Sequence, residues 1–391
     1  MAPYLITFFI STALFEIGGY AEKVRHGRVL SVAVCLLALV PLCILAGARD
    51  ISIGTDTGGY GLFMYQQGLY ANNFSAYLDA LNGSYWDIAP LYALISYAAI
   101  KLFGSQFAYF FVIELAVAVP VLIVARKTCR KHFGLPMLLW MLTLYIPSLN
   151  MMRQSIAIGL VALSVLDVMD GRRYRAIIFE ALAALTHTSA IVGIVFWLLW
   201  HMFFHRDAAD CDWHYRKWSQ PLMLLSAVAG LVCVAFFREI ASLFTGLDGI
   251  GRLLAYATHE GDEYGTSEAL FFVALSIGSI LMICEVDVKR RPMGVSLCYL
   301  VILSLPLFVL SGLDNTISRM TAYCTVFAIP HVGITLSYPV ANRIPLGLVI
   351  VVMSCAFRFL VCFVLQGFQR SRSHIPRFCL ALPSKWIIDW S

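Results

Sequence analysis

Charge is what this chain has least of. Asp, Glu, Lys and Arg together make up 13% of its 391 residues, against about 25% in soluble domains. The net charge of +5 is spread over short loops. No long basic face forms, which excludes a nucleic-acid-binding surface. None of the eleven cysteines forms a CxxC pair, so neither a zinc knuckle nor a disulfide framework is supported. Cys35, Cys43, Cys233, Cys284, Cys298, Cys324, Cys355 and Cys362 lie in apolar segments and read as small buried hydrophobes. Cys129 and Cys211 fall in basic loops, and Cys379 falls in the tail. A phosphate-binding P-loop is missing, as is any polar stretch long enough for a soluble domain. Residues 1–20 are apolar but lack a basic leader and a clear small-residue cleavage site, so they read as a retained first helix.

What the chain does have is apolar length. Hydrophobic residues make up 60% of it, in thirteen segments: 3–20, 29–47, 88–103, 106–125, 135–148, 152–169, 174–186, 189–204, 221–237, 269–284, 293–311, 320–338 and 345–365. Segments of roughly 20 apolar residues cross a bilayer as helices. Many all-round apolar helices have no place in a soluble fold. The expectation is an all-α polytopic membrane protein, one transmembrane domain over 1–391.

Basic residues in short loops give the orientation. Lys23, Arg25 and Arg28, then Arg126, Lys127, Arg130 and Lys131, then Arg172, Arg173 and Arg175, then Arg206, Arg216 and Lys217, then Lys289, Arg290 and Arg291 are expected on the cytoplasmic side. The opposite side then receives a first large loop (48–87), the 150–153 and 186–188 turns, a second large loop (238–268) and the 312–319 loop. Parity requires an odd number of crossings between Arg49 and Arg126, where two apolar segments stand. Segment 88–103 is the shorter and contains Lys101. It is expected to be re-entrant or to lie against the bundle, which leaves about twelve crossings; the competing possibility is an exception to the charge rule at one loop. Strict alternation would put Arg370, Arg372, Arg377 and Lys385 outside, so the side of the C-terminus stays open.

The polar residues singled out on the outer side are few, and Arg49, Arg153 and Arg319 bring three arginines to it from separate segments. Arg49 and Asp50 leave an apolar segment, where charge is costly unless paired or wet. Gly54, Thr55, Asp56, Gly58, Gly59 and Tyr60 follow, and the glycines allow the loop to fold back. Arg153 opens segment 152–169, and a cation at a helix start opposes the helix dipole. A bound anion such as phosphate would account for it; snorkelling toward headgroups is the competing account. His187 lies in the turn between two apolar segments, either as a helix cap or as a proton carrier. Arg319 opens a further segment. The second large loop adds His259, Glu260, Asp262 and Glu263, which read first as a solvated acidic loop and otherwise as a sugar contact or a general base. His201 and His205, spaced i,i+4 and followed by Asp207, Asp210, Cys211, Asp212 and His214, lie on the other side and read as a polar rim rather than a metal site.

These motifs resemble the EpsG family of Wzy-type polysaccharide proteins. The Arg…Gly-Thr-Asp…Tyr order from Arg49 to Tyr60 is similar to that family's first outer loop. Met152-Arg153-Gln154-Ser155-Ile156-Ala157 resembles its RQ-x-[IL]-A element. The stretch 181–190, ending His187-Thr188-Ser189-Ala190, resembles its histidine turn. Arg319 to Tyr323 resembles its later R-x-x-x-Y segment. The likeness runs over roughly 45–330. Two departures stand out: Trp86-Asp87-Ile88-Ala89-Pro90 replaces a Glu-Pro-Gly element, and no Pro-Tyr occurs near Leu382-Pro383.

The resemblance implies a GT-C-like glycosyltransferase of the bacterial cytoplasmic membrane, working on its outer face without metal or other cofactor. Its substrate would be an undecaprenyl-diphosphate-linked oligosaccharide, and its surroundings membrane lipid. A chain-length regulator protein would be a further partner, and no nucleic acid is involved. An acceptor hydroxyl would attack the anomeric carbon while lipid diphosphate leaves. Fixed arginines stabilise that leaving charge. Arg153 and Arg319 are the expected diphosphate contacts, with Arg49 a third; Gln154, Tyr60 and Tyr323 belong to the same motifs. His187 is the first expectation for proton handling and Asp56 the second. Three rival functions remain open. A glycan flippase would need polar residues at mid-membrane, for which Glu114 and Glu180 are the available pair. A membrane acyltransferase would need a catalytic histidine within reach of a cytoplasmic acyl donor, and His187 is expected on the opposite side. A scaffold for a polysaccharide complex would need no chemistry at all.

Overall fold

A computed structural model describes residues 2–22, 27–50, 56–82, 88–129, 131–206, 213–215, 263–287, 290–310, 315–340 and 344–369. Segment 221–237, most of the second large loop with His259, Glu260 and Asp262, the residues Gly54, Thr55, Asp87 and Cys211, and the charged tail with Cys379 lie outside the described residues. The chain divides into two compact units, 1–193 with 360–391, and 194–359.

The first unit is a helical bundle built from α1 (Ala2–Ala21), α2 (Gly27–Gly47), α3 (Leu62–Tyr70), α4 (Phe74–Asn82), α5 (Pro90–Phe103), α6 (Gln106–Thr128), α7 (Gly134–Trp140), α8 (Ile146–Asn150), α9 (Met152–Met169) and α10 (Arg173–Ala184). A π-helical turn, Met141–Tyr145, carries α7 into α8. Helix α1 packs on α2 and α7, α2 on α6, α6 on α9, and α9 on α10. Every residue of α9 except Arg153 is buried, so α9 is the axis of the unit. Phe9 and Val29 are 76% and 80% exposed; apolar faces this open suit lipid rather than water.

Helices α6 and α9 run parallel, because their first turns share one set of contacts and their last turns another. At the far end Lys127 Nζ lies 2.5 Å from Asp167 Oδ1 and 3.5 Å from Asp170 Oδ2, while Arg175 Nε lies 3.4 Å from Asp167 Oδ2. Arg126 adds a contact to Glu22 at 3.4 Å. The first unit is therefore polarised, with Lys127, Arg126 and Arg175 at one end and Arg49, Asp56 and Arg153 at the other.

The first large loop contains two helices that the apolar-segment reading passes over, α3 and α4. Asn73 starts α4, its Oδ1 accepting the Ala76 N–H at 2.8 Å, as N-cap residues do. Segment 88–103 forms α5, whose 14 residues reach about 21 Å, short of a hydrocarbon core of about 30 Å. Gly104, at φ 64°, ends it in the left-handed region, where glycine is favoured.

The second unit contains most of α11 (Val192–Phe203), a pair of three-residue antiparallel strands β1 (Phe204–Arg206) and β2 (Trp213–Tyr215), helices α12 (Glu263–Ile283), α13 (Arg291–Ile302), α14 (Ser304–Leu310), α15 (Asn315–Thr325) and α16 (Ala328–Ser337), and the first part of α17 (Leu346–Gln369); α11 and α17 both straddle the division. Segments 293–311 and 320–338, each expected to be one helix, are both broken. The second breaks before Pro330, which has no N–H to give the Val326 carbonyl; Ile329 N bonds that carbonyl instead at 3.1 Å. Arg358 of α17 donates from Nε to both Glu268 oxygens of α12, at 3.1 and 2.9 Å, and stacks on Phe271 at 4.7 Å.

Counted over described residues, six helical stretches are long and apolar enough to cross a bilayer: Ala2–Ala21, Gly27–Gly47, Gln106–Thr128, Met152–Met169, Arg291–Phe308 and Arg319–Ser337. Four shorter apolar helices accompany them. This is the architecture of a multi-pass membrane protein.

Candidate active site

The site begins at the turn between α8 and α9. Met151, at φ −95° and ψ 50°, breaks the helix, and α9 restarts with Met152, Arg153 and Gln154. Its first backbone N–H groups therefore lack intrahelical acceptors. Asp56 and Thr57 are fastened onto this turn. Asp56 donates its N–H to Asn150 Oδ1 at 3.2 Å, and Thr57 Oγ1 donates to the Leu149 carbonyl at 3.2 Å. A π-helical turn, Thr57–Gly61, then delivers Tyr60 beneath Arg153, whose guanidinium carbon lies 4.3 Å from the ring centroid.

Arg49 approaches the same turn from the end of α2. It is 6% exposed. Its guanidinium lies over the Phe110 ring of α6 at 4.2 Å, and one terminal nitrogen donates to Met152 Sδ at 2.9 Å. Its Nε has no hydrogen-bond partner among the described residues. A buried arginine held by sulfur and an aromatic face has its charge available for an anion, because neither contact neutralises it. Burial disfavours its charged form, and Glu114 is the largest influence opposing that.

Tyr92 of α5 closes the side of the site. Its hydroxyl reaches Met152 Sδ at 3.9 Å, and its ring meets Tyr60 edge-on at 6.1 Å. Gln154 is buried at 3% exposure. Thus Arg49, Asp56, Tyr60, Arg153 and Gln154, which the sequence motifs single out separately, meet at one turn.

His187 belongs to the same unit. Two residues before it, the Leu185 carbonyl is docked to α5, accepting the Leu91 N–H at 2.9 Å, one residue before Tyr92. His187 Nδ1 accepts the Ser189 N–H at 3.1 Å and lies 2.7 Å from Ser189 Oγ. The capping account of this histidine is therefore present in the structure. An Nδ1 that accepts a backbone N–H leaves the neutral ring's proton on Nε2, which makes Nε2 a donor. Arg319 and Tyr323 lie one turn apart on α15 in the second unit, with Tyr323 fully buried.

Three contributors are not among the residues that the motifs single out: Phe110, Ser148 and Tyr92. Nothing in an apolar helix marks the one phenylalanine that will sit under an arginine. Glu114 is visible in the sequence as a lone carboxylate in an apolar segment. Its neighbour is not: Ser148 Oγ lies 3.1 and 3.3 Å from its two oxygens and 2.6 Å from the Tyr145 carbonyl, so its single proton is shared among them.

The EpsG family model matches residues 32–371, from within α2 to just past α17. The chain belongs to the EpsG family. Members of the EpsG family are Wzy-type polysaccharide polymerases. The match covers every element of the site described above. No curated protein and no solved structure matches the chain.

Proposed function

We propose that this EpsG-family chain polymerises undecaprenyl-diphosphate-linked oligosaccharide repeats on the outer face of the bacterial cytoplasmic membrane. The observation that carries the reading is Arg49: a buried guanidinium whose Nε has no partner among the described residues, beside a second arginine at a helix start. The two cations, together with the positive end of the α9 dipole, form a site suited to a diphosphate.

In this reading an acceptor hydroxyl attacks the anomeric carbon of the lipid-linked chain. The bond from that carbon to the diphosphate oxygen breaks, and its electron pair leaves with the diphosphate. Arg49 and Arg153 gain most as that charge develops, which lowers the barrier rather than merely tightening binding. The arginines supply charge that a divalent metal supplies in other transferases. Asp56, carried on the segment fastened to the α9 turn, is the group suited to take the hydroxyl proton. His187, with its proton on Nε2, suits donation to an oxygen. Gln154 and Tyr60 hold the first turn and Arg153 in place. The roles that the motifs give Arg319 and Tyr323 are tested by substitution within the second unit. About twelve crossings, a GT-C-like architecture and a chain-length regulator as partner complete the reading.

A flippase for the same lipid-linked glycan is the second reading, favoured by Glu180. This carboxylate is 7% exposed in α10 and rests against Gly193. Purified protein supplied with lipid-linked repeats distinguishes the two. Polymerase activity yields lengthened chains and one undecaprenyl diphosphate per bond formed. Translocation of unlengthened repeats across proteoliposomes, with no lengthening, would replace the first reading by the second.

A further inference from the structure

Glu114 takes no part in the chemistry above, yet it is 1% exposed in α6. Phe110, the ring that carries Arg49, lies one helical turn earlier. Residues four apart share a helix face, so the carboxylate lies one turn deeper than the guanidinium. Ser148, four residues before Met152, lies within 3.3 Å of both carboxylate oxygens, and Met152 holds Arg49. The two charges thus sit on successive turns of α6, Arg49 against Phe110 and Met152 of α9, and Glu114 against Ser148 of α8. They do not pair directly: the polar contact of Arg49 is sulfur, and its Nε is open among the described residues.

A lone buried guanidinium is costly in an apolar bundle, and a nearby carboxylate offsets that cost without occupying the hydrogen-bonding positions of the arginine. An arriving diphosphate takes those positions and then feels the charge of Glu114 as repulsion through a weakly screening medium. We propose that Glu114 is the resident counter-anion of Arg49, a positioning residue that stabilises the ligand-free site and weakens the hold on the diphosphate so that it can leave. The proposal rests on the diphosphate reading of the Arg49 site.

The test uses full-length protein purified in detergent and undecaprenyl diphosphate as the probe, with affinity and ligand-induced change in Tm as readouts. Glu114→Gln keeps the shape and the Ser148 contact but removes the charge. It is expected to lower the Tm of the ligand-free protein and to bind the probe about tenfold more tightly, about 1.4 kcal/mol, with a larger ligand-induced rise in Tm. In turnover, the same variant is expected to show a first-turnover burst followed by a slower steady rate, because release has become slow. Unchanged or weaker binding by Glu114→Gln, while Arg49→Met abolishes binding, overturns this proposal and leaves the diphosphate reading standing. Binding that Arg49→Met does not weaken, or no binding by the unsubstituted protein, overturns both. If Glu114→Gln fails to fold, the double variant with Arg49→Met decides: recovery of folding supports the coupling, and continued failure refutes it.

Discussion

Removing the Lys127 ammonium should be among the most damaging single changes away from the site. Asp167 is fully buried near the end of α9, and its closest cation is Lys127 Nζ at 2.5 Å. The other, Arg175, is 3.4 Å away on a side chain that is 49% exposed. Lys127→Met therefore leaves a buried carboxylate with only a solvent-screened partner. Breaking a buried pair from one side costs about 3–5 kcal/mol, and the residual Arg175 contact places this case near the lower end. At roughly 2 °C or more per kcal/mol for a chain this large, Tm should fall by about 6 °C. The assay is thermal unfolding of purified protein in a fixed detergent, with unfolding in graded SDS as a second measure. The double variant Lys127→Met/Asp167→Asn removes both charges and should recover most of the loss, because the penalty belongs to the stranded carboxylate. A single variant as stable as the unsubstituted protein would refute this reasoning. So would a double variant less stable than the single one.

Two further outcomes follow from the geometry. His187→Asn keeps a side-chain oxygen to accept the Ser189 N–H but removes the Nε2 donor; Tm should stay within about 2 °C while polymer formation drops at least tenfold, and retained polymer formation would reduce His187 to a cap. A Cβ on Gly47 would stand 2.8 Å from the Phe107 carbonyl oxygen and 3.0 Å from its ring. Gly47→Ala should therefore push α2 from α6 at a cost of about 1–3 kcal/mol, seen as a lower Tm and as weaker diphosphate binding through displaced Arg49.

The apolar segments are largely legible in the chain. Segment 152–169 is α9 to the residue, and 174–186 is α10 within two residues at each end, because apolar length alone marks such helices. Helices α3 and α4 are not legible in this way, since neither reaches membrane length and the burial of α4 is limited to Tyr77 and Leu81. Asn73 is the available signal. The breaks near Leu303 and Val326 are hidden inside continuous apolar runs, although Pro330 marks the second.

At the site, the charged residues announce themselves, because an arginine at a helix start needs a reason. Their meeting does not. It depends on Asn150 and Leu149 accepting from Asp56 and Thr57, contacts across more than 90 residues that no local pattern encodes. The same holds for Glu114. Its presence in an apolar helix is plain, but its place one turn below Arg49 requires α6 and α9 to run side by side.

In the proposed reaction Arg49 and Arg153 stabilise a departing lipid diphosphate. That role is tested most directly by reconstituting purified protein with lipid-linked repeat units and resolving the products by chain length. The account predicts a ladder of lengthened chains for the unsubstituted protein, and none for Arg49→Met or Arg153→Ala variants that remain folded. A ladder of unchanged length and rate from either variant would contradict it.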